Sequence, residues 1–264
     1  MIMIIPHEDI PIAIYEVNSG YQDHKDFNRI LTDIMKLITD KLNSIKMLKF
    51  SQINSLTFIE YPLMFFRYKE GPLGPNIPVK KILRVVFVGE PLPPNRNEKL
   101  FTGGETHFSD KIFLIKIGIN KDNTGHDILN GINRLETIIS HELTHVFQNL
   151  YDNYHKTQTY YKKMKNKDNS DPFGTWYWTN RYEIEAYTTQ INTQLRQIKK
   201  EIPDIKFKSA ILKIQGYKDL NKFLPEEHKD ILKRVLSKTV NFWMNNLGGK
   251  INEFKIIKKI DINL

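Results

Sequence analysis

Cysteine is absent from the chain, and this one absence removes disulfide frameworks, thiolate-ligated zinc, iron–sulfur clusters and thiol nucleophiles. Any metal must be held by His, Asp or Glu. No apolar run approaches the roughly 18 consecutive residues of a membrane-spanning helix, so no membrane span is expected. A Gly-rich phosphate loop, a GxSxG elbow and EF-hand spacing are also missing, as is any internal repeat. The opening segment MIMIIPHEDIPIAIYEV has no basic leader and is broken by Pro6 and Pro11. It reads as a mature N-terminus with a short strand, which leads us to expect no Sec-type export and a cytoplasmic location.

What is present suits a sizeable core. The 264 residues are 40% hydrophobic and 26% charged, the proportions of a globular chain folding as one moderately large domain or two lobes. Lys and Arg number 39 against 30 Asp and Glu, a net charge of +9. That excess favours acidic partners in general, nucleic acid among them, but no recognition motif accompanies it.

Periodicity outlines the elements. From Asp23 to about Lys46 the residues Phe27, Ile30, Leu31, Ile34, Leu37, Ile38 and Leu42 recur at helical steps, predicting an amphipathic helix. Residues 54–69 and 80–91 are rich in β-branched and aromatic types and read as strands, the first broken or placed at an edge by Pro62. A polar loop containing Gly103 and Gly104 is expected next, then a half-exposed strand over 111–119. A helix over about 127–151 carries Ile128, Ile132, Leu135, Ile139, Leu143, Val146 and Leu150 on one stripe. Residues 152–175 read as a long connection, and helices follow over about 180–200 and from Pro225 to Gly248.

The helix expected over about 127–151 contains the one sharp motif, His141-Glu142-Leu143-Thr144-His145. Residues four apart lie one turn apart on the same helix face, so both imidazoles can reach one zinc ion. Glu142 lies beside that face, where its carboxylate can hold a metal-bound water and accept its proton. Uncharged neighbours, Ile138, Ile139, Leu143, Thr144, Val146 and Phe147, suit a helix buried through the middle of a protein.

On these residues the chain resembles the zincin metallopeptidases, whose HExxH signature lies on a central helix beneath a small sheet. Gln148 and Tyr151 stand where the metzincin continuation needs Gly and His, which excludes that branch. The segment Arg181-Tyr182-Glu183-Ile184-Glu185-Ala186-Tyr187 is similar to the glutamate helix of the gluzincin branch, in which a Glu supplies the third ligand. Glu183 and Glu185 are about 200° apart around a helix, so only one can face the metal. Glu183 lies nearer the buried stripe of Ile184, Tyr187, Ile191, Leu195 and Ile198 and shares its face with Ala186. It is the preferred ligand, with Glu185 as the alternative. The likeness spans about residues 111–195.

The resemblance implies an α+β, zincin-like fold: a small mixed sheet, a central HExxH helix and a mainly helical C-terminal lobe. We expect a single metallopeptidase domain over 1–264, divided into a helix-plus-sheet lobe (1–126) and a lobe with the metal helix and the C-terminal helices (127–264). It implies zinc-dependent hydrolysis of a protein or peptide substrate, with His141, His145 and Glu183 as ligands and Glu142 as general base. The 111–119 strand is expected to border the cleft and pair with an extended substrate. His107, His155 and Asp171 are secondary ligand or donor candidates. Tyr177, Tyr182 and Tyr187 are candidate oxyanion donors, and Trp176 and Trp178 candidate cleft walls. Two other readings keep these residues: a catalytically silent zincin-like binding or structural protein, and a basic protein associated with nucleic acid.

Overall fold

A computed structural model of the chain describes residues 25–53, 57–67, 77–91, 100–109, 111–151 and 180–249. The expected N-terminal strand, and with it His155, Asp171, Trp176, Tyr177 and Trp178, lies outside these residues. The architecture is mixed α+β, with a four-stranded mixed sheet and several helices.

Helix α1 (Lys25–Ser44) buries Phe27, Ile30, Leu31, Ile34, Ile38 and Leu42, the predicted stripe except for Leu37, which is exposed. Strands β1 (Thr57–Arg67), β2 (Ile77–Glu90), β3 (Phe101–Phe108) and β4 (Ile112–Asn120) form a sheet in the order β1-β2-β4-β3. β2 and β4 are parallel, and the outer pairs are antiparallel. Pro62 sits inside β1 opposite Ile82. β1 pairs on one side only among the described residues, where a missing N–H is tolerated.

Two expectations are corrected here. Residues 101–108 are not a polar loop: they form β3, despite weak strand propensity in FTGGETHF. Pairing with the apolar strand β4 overrides local preference. Gly103 sits at the register slip between Phe101 and Gly103 with φ +155°, a backbone state that side chains other than hydrogen disfavour. Consequently β4 is an interior strand, bonded to β2 on one edge and β3 on the other. Its main-chain groups are already used, so it cannot template a substrate; the strand at the rim is β3.

Alternation along β4 sends Phe113, Ile115, Ile117 and Ile119 to one face, where they meet Leu83, Val85 and Phe87 of β2 and the apolar faces of α1 and the HExxH helix. The predicted 127–151 helix is two helices, α2 (Gly125–Asn130) and α3 (Ile132–Tyr151), separated at Gly131. Thr124 caps α2: its hydroxyl accepts from Asp127 N at 3.3 Å, and Asp127 Oδ2 accepts from Thr124 N at 2.8 Å.

Beyond the undescribed 152–179 segment, α4 (Arg181–Glu201) begins at Asn180, whose side-chain oxygen accepts from Tyr182 N at 2.9 Å. It packs along α3 and lends Ile191 and Leu195 to a second core. That core is completed by α5 (Phe207–Ile211), α6 (Gln215–Phe223) and α7 (Lys229–Asn246), with Trp243 at its centre. No helix among the described residues is long and apolar enough to cross a membrane.

Candidate metal centre

The centre is built where α3 is sandwiched between the sheet and α4. Every residue from Ile139 to Gln148 is buried. Ile139, Leu143, Val146 and Phe147 belong to the core on the sheet side, so the helical period turns His141, His145 and Gln148 toward α4. The two imidazole rings meet edge to face, their centroids 5.1 Å apart.

Facing them, α4 presents Glu183, Ala186, Tyr187 and Gln190, residues at steps of three and four. Ala186 is fully buried, which lets the helices approach closely, and the Tyr187 ring stands edge-on to His141 at 5.0 Å. Glu183 Oε2 lies 3.4 Å from His141 Nε2, and Glu183 Oε1 lies 3.6 Å from His145 Nε2. One ligand atom from each of His141, His145 and Glu183 falls within 4.8 Å of the others.

These separations fit a small tetrahedral ion. Ligand atoms about 2.1 Å from zinc stand about 3.4 Å from one another, close to the distances found. The donor set suits the ion as well, since two imidazoles and a carboxylate leave a fourth position open. Among the described residues Glu183 Oε2 is buried with His141 Nε2 at 3.4 Å but no partner in hydrogen-bond geometry, an arrangement that costs free energy unless something else satisfies the oxygen. Glu185 does not enter this group. Its Oε2 accepts from Gln148 Nε2 at 3.2 Å, and its Oε1 lies 3.6 Å from Arg181 Nε.

Each imidazole is held from behind. Gln190 Oε1 is 3.1 Å from His141 Nδ1, and Gln148 Oε1 is 2.8 Å from His145 Nδ1. With an acceptor opposite Nδ1, the Nε2 atoms are left to face Glu183, the support that metal-ligating histidines generally have. The sequence pattern gives neither glutamine this supporting role. The available signal was position: Gln190 is seven residues after Glu183, and Gln148 seven after His141, two turns along the same faces.

Burial disfavours a charged His145, yet the Glu183 carboxylate outweighs it, helped by Glu142, and raises the pKa to about 9. Burial likewise pushes Glu183 up, but His145 and His141 together hold it well below the usual carboxylate range. In the metal-free protein His145 is therefore protonated at neutral pH, and a cation must displace that proton. Zinc affinity is expected to rise with pH as His145 gives up its proton, with proton release on binding that falls as the pH is raised. Chelator competition at a series of pH values, with proton release measured in parallel, checks this; an affinity flat in pH would contradict it.

Glu142 is buried and held by the edge strand. Thr106 Oγ1 donates to Glu142 Oε2 at 2.7 Å and lies 3.2 Å from the Glu142 carbonyl oxygen. Glu142 Oε1 stands over Gly104, where a Cβ would come within 2.8 Å of both Oε1 and Ile138 Cγ2. Gly104 is thus required by close approach of β3 to α3. Thr106 and Gly104 carry no local signal of this role, because only the pairing of β3 with β4 brings them to α3.

The other candidates lie elsewhere. His107 is on the opposite face of β3 from Thr106, its Nε2 3.3 Å from Glu105 Oε2, within a surface group where Lys116 bridges Glu105 and Glu90. Tyr182 is buried, and its carbonyl accepts from Gln148 Nε2 at 2.9 Å. Compared with known protein families, curated proteins and solved structures, the chain finds no match. The functional reading therefore rests on the geometry of the site.

Proposed function

We propose that this chain is a zinc-dependent peptidase of the zincin type, with the third ligand supplied in the gluzincin manner. The observation that carries the reading is the convergence of His141 Nε2, His145 Nε2 and the Glu183 carboxylate. Beside them is a fourth ionisable group, Glu142, that is not drawn into the cluster. His141, His145 and Glu183 would hold the ion. Zinc bound there supplies Lewis acidity toward water and toward a peptide carbonyl oxygen.

Glu142 is arranged for proton transfer. Thr106 occupies Oε2 and fixes the carboxylate's rotation, while Oε1 accepts no hydrogen bond among the described residues. In the proposed reaction Oε1 takes a proton from the attacking water and returns it to the departing amine nitrogen, which leaves a carboxylic acid and an amine; the acid's proton then passes to the amine, giving a carboxylate and an ammonium group. The hydrophobic residues of α3 and the sheet beneath them limit water on the far side of the ligands. β3 is the edge strand on this side among the described residues. An extended chain laid along it would pass the residues next to Glu142, with main-chain hydrogen bonds giving affinity and side chains left to pockets.

The experiment is metal removal. An unfolded protein substrate such as casein should be cleaved by the full chain, cleavage should stop after dialysis against a strong chelator, and one equivalent of zinc should restore it. A chain that is fully loaded with zinc and still cleaves nothing rejects the peptidase reading while keeping the metal centre. Cleavage unaffected by chelation rejects both.

A further inference from the structure

Of the two glutamates in Glu183-Ile184-Glu185, only the first reaches the histidines, and the second is fully engaged elsewhere in the same site. Glu185 meets Gln148, a residue with no exposed surface. The Gln148 amide has one oxygen to accept with and one nitrogen to donate from. Its nitrogen is 2.9 Å from the Tyr182 carbonyl and 3.2 Å from Glu185 Oε2. Both partners are pure acceptors. The amide oxygen must therefore turn the other way, to His145 Nδ1 at 2.8 Å. The reverse orientation would press an acceptor against two acceptors in a dry interior, which costs heavily.

An acceptor opposite Nδ1 keeps the proton there and leaves the Nε2 lone pair for a metal. We propose that Glu185 is a positioning residue: it fixes the Gln148 amide, and through it directs His145 Nε2 at the metal. This rests on the zinc reading above. Glu185 is itself anchored, with Arg181 Nε 3.6 Å from Oε1. Lys238 of α7 senses its charge as well: burial lowers the Lys238 pKa, and Glu185 raises it.

Zinc affinity, read by competition with a colorimetric chelator on the full chain, tests the proposal. Glu185→Ala and Gln148→Leu should each weaken zinc by about 10–100-fold, the usual cost of losing an outer partner. Glu185→Gln should stay within about threefold of the parent, because its side-chain carbonyl still accepts from Gln148 Nε2. The Gln148→Leu, Glu185→Ala double variant should lose no more than Gln148→Leu alone, since both act through one path.

Equal losses for Glu185→Gln and Glu185→Ala would mean that only the charge matters, and would overturn the proposal. So would losses that multiply in the double variant, or a folded Glu185→Ala chain that binds zinc as the parent does. Should Glu185→Ala fail to fold, Glu185→Gln and the His145 Nδ1–H resonance of the zinc-loaded parent decide. A protected Nδ1 proton supports the path, and its absence rejects it. A parent chain that binds no zinc would instead overturn the metal reading and this inference together.

Discussion

The Glu142→Gln variant is expected to bind zinc within a few-fold of the parent and to lose peptide cleavage by a factor of at least about 10²–10⁴. Glutamine has the same shape, and its carbonyl oxygen can still accept from Thr106 Oγ1, which donates to Glu142 Oε2 at 2.7 Å in the parent. What disappears is a basic oxygen at the position of Oε1. Since no cluster distance involves Glu142, the metal should be unaffected, and a fall in turnover at constant zinc content isolates the proton-transfer role. Steady-state cleavage of the same substrate by zinc-loaded parent and variant is the measurement. Undiminished turnover would remove Glu142 as the base, and a large loss of zinc would make it a ligand.

Removal of a ligand should act on the metal first. His141→Ala, His145→Ala and Glu183→Ala are each expected to weaken zinc by on the order of a thousandfold, well beyond the 10–100-fold typical of outer partners. His145→Ala has a second consequence in the chelated protein. It strips the buried Glu183 carboxylate of the partner whose Nε2 stands 3.6 Å away. Breaking a buried pair from one side costs roughly 3–5 kcal/mol, so the metal-free variant should unfold at a clearly lower temperature than the metal-free parent. Zinc titration with thermal melts in the presence and absence of chelator reads both effects. Parental affinity in Glu183→Ala would exclude it as third ligand.

Elements with a strong period were legible in the sequence. The stripe Phe27 to Leu42, Leu37 apart, became the buried face of α1, and Leu135, Ile139, Leu143 and Val146 became the sheet side of α3. Both arise from local spacing, which a helix converts directly into a face. The failures share a cause. Residues 101–108 have little strand character, and their conformation comes from hydrogen bonds to β4. The same pairing buries both edges of β4, so the strand expected at the rim lies inside the sheet. Strand order depends on contacts between segments distant along the chain, and no local window contains it.

The site divides along the same line. By itself the sequence determined that His141 and His145 share one face, that Glu142 lies next to it, and that Glu183 and Glu185 cannot both face one point. All of these follow from 100° per residue within a single helix. Tertiary structure alone decided which glutamate meets the histidines, because that depends on how α4 is rotated against α3. It also decided what stands behind each candidate site residue: Gln190 behind His141, Gln148 and Glu185 behind His145, Thr106 against Glu142. Hydrogen bonds form between side chains whose separation is set by packing, and the sequence separation of 36 from Thr106 to Glu142 is closed only when β3 joins the sheet above α3.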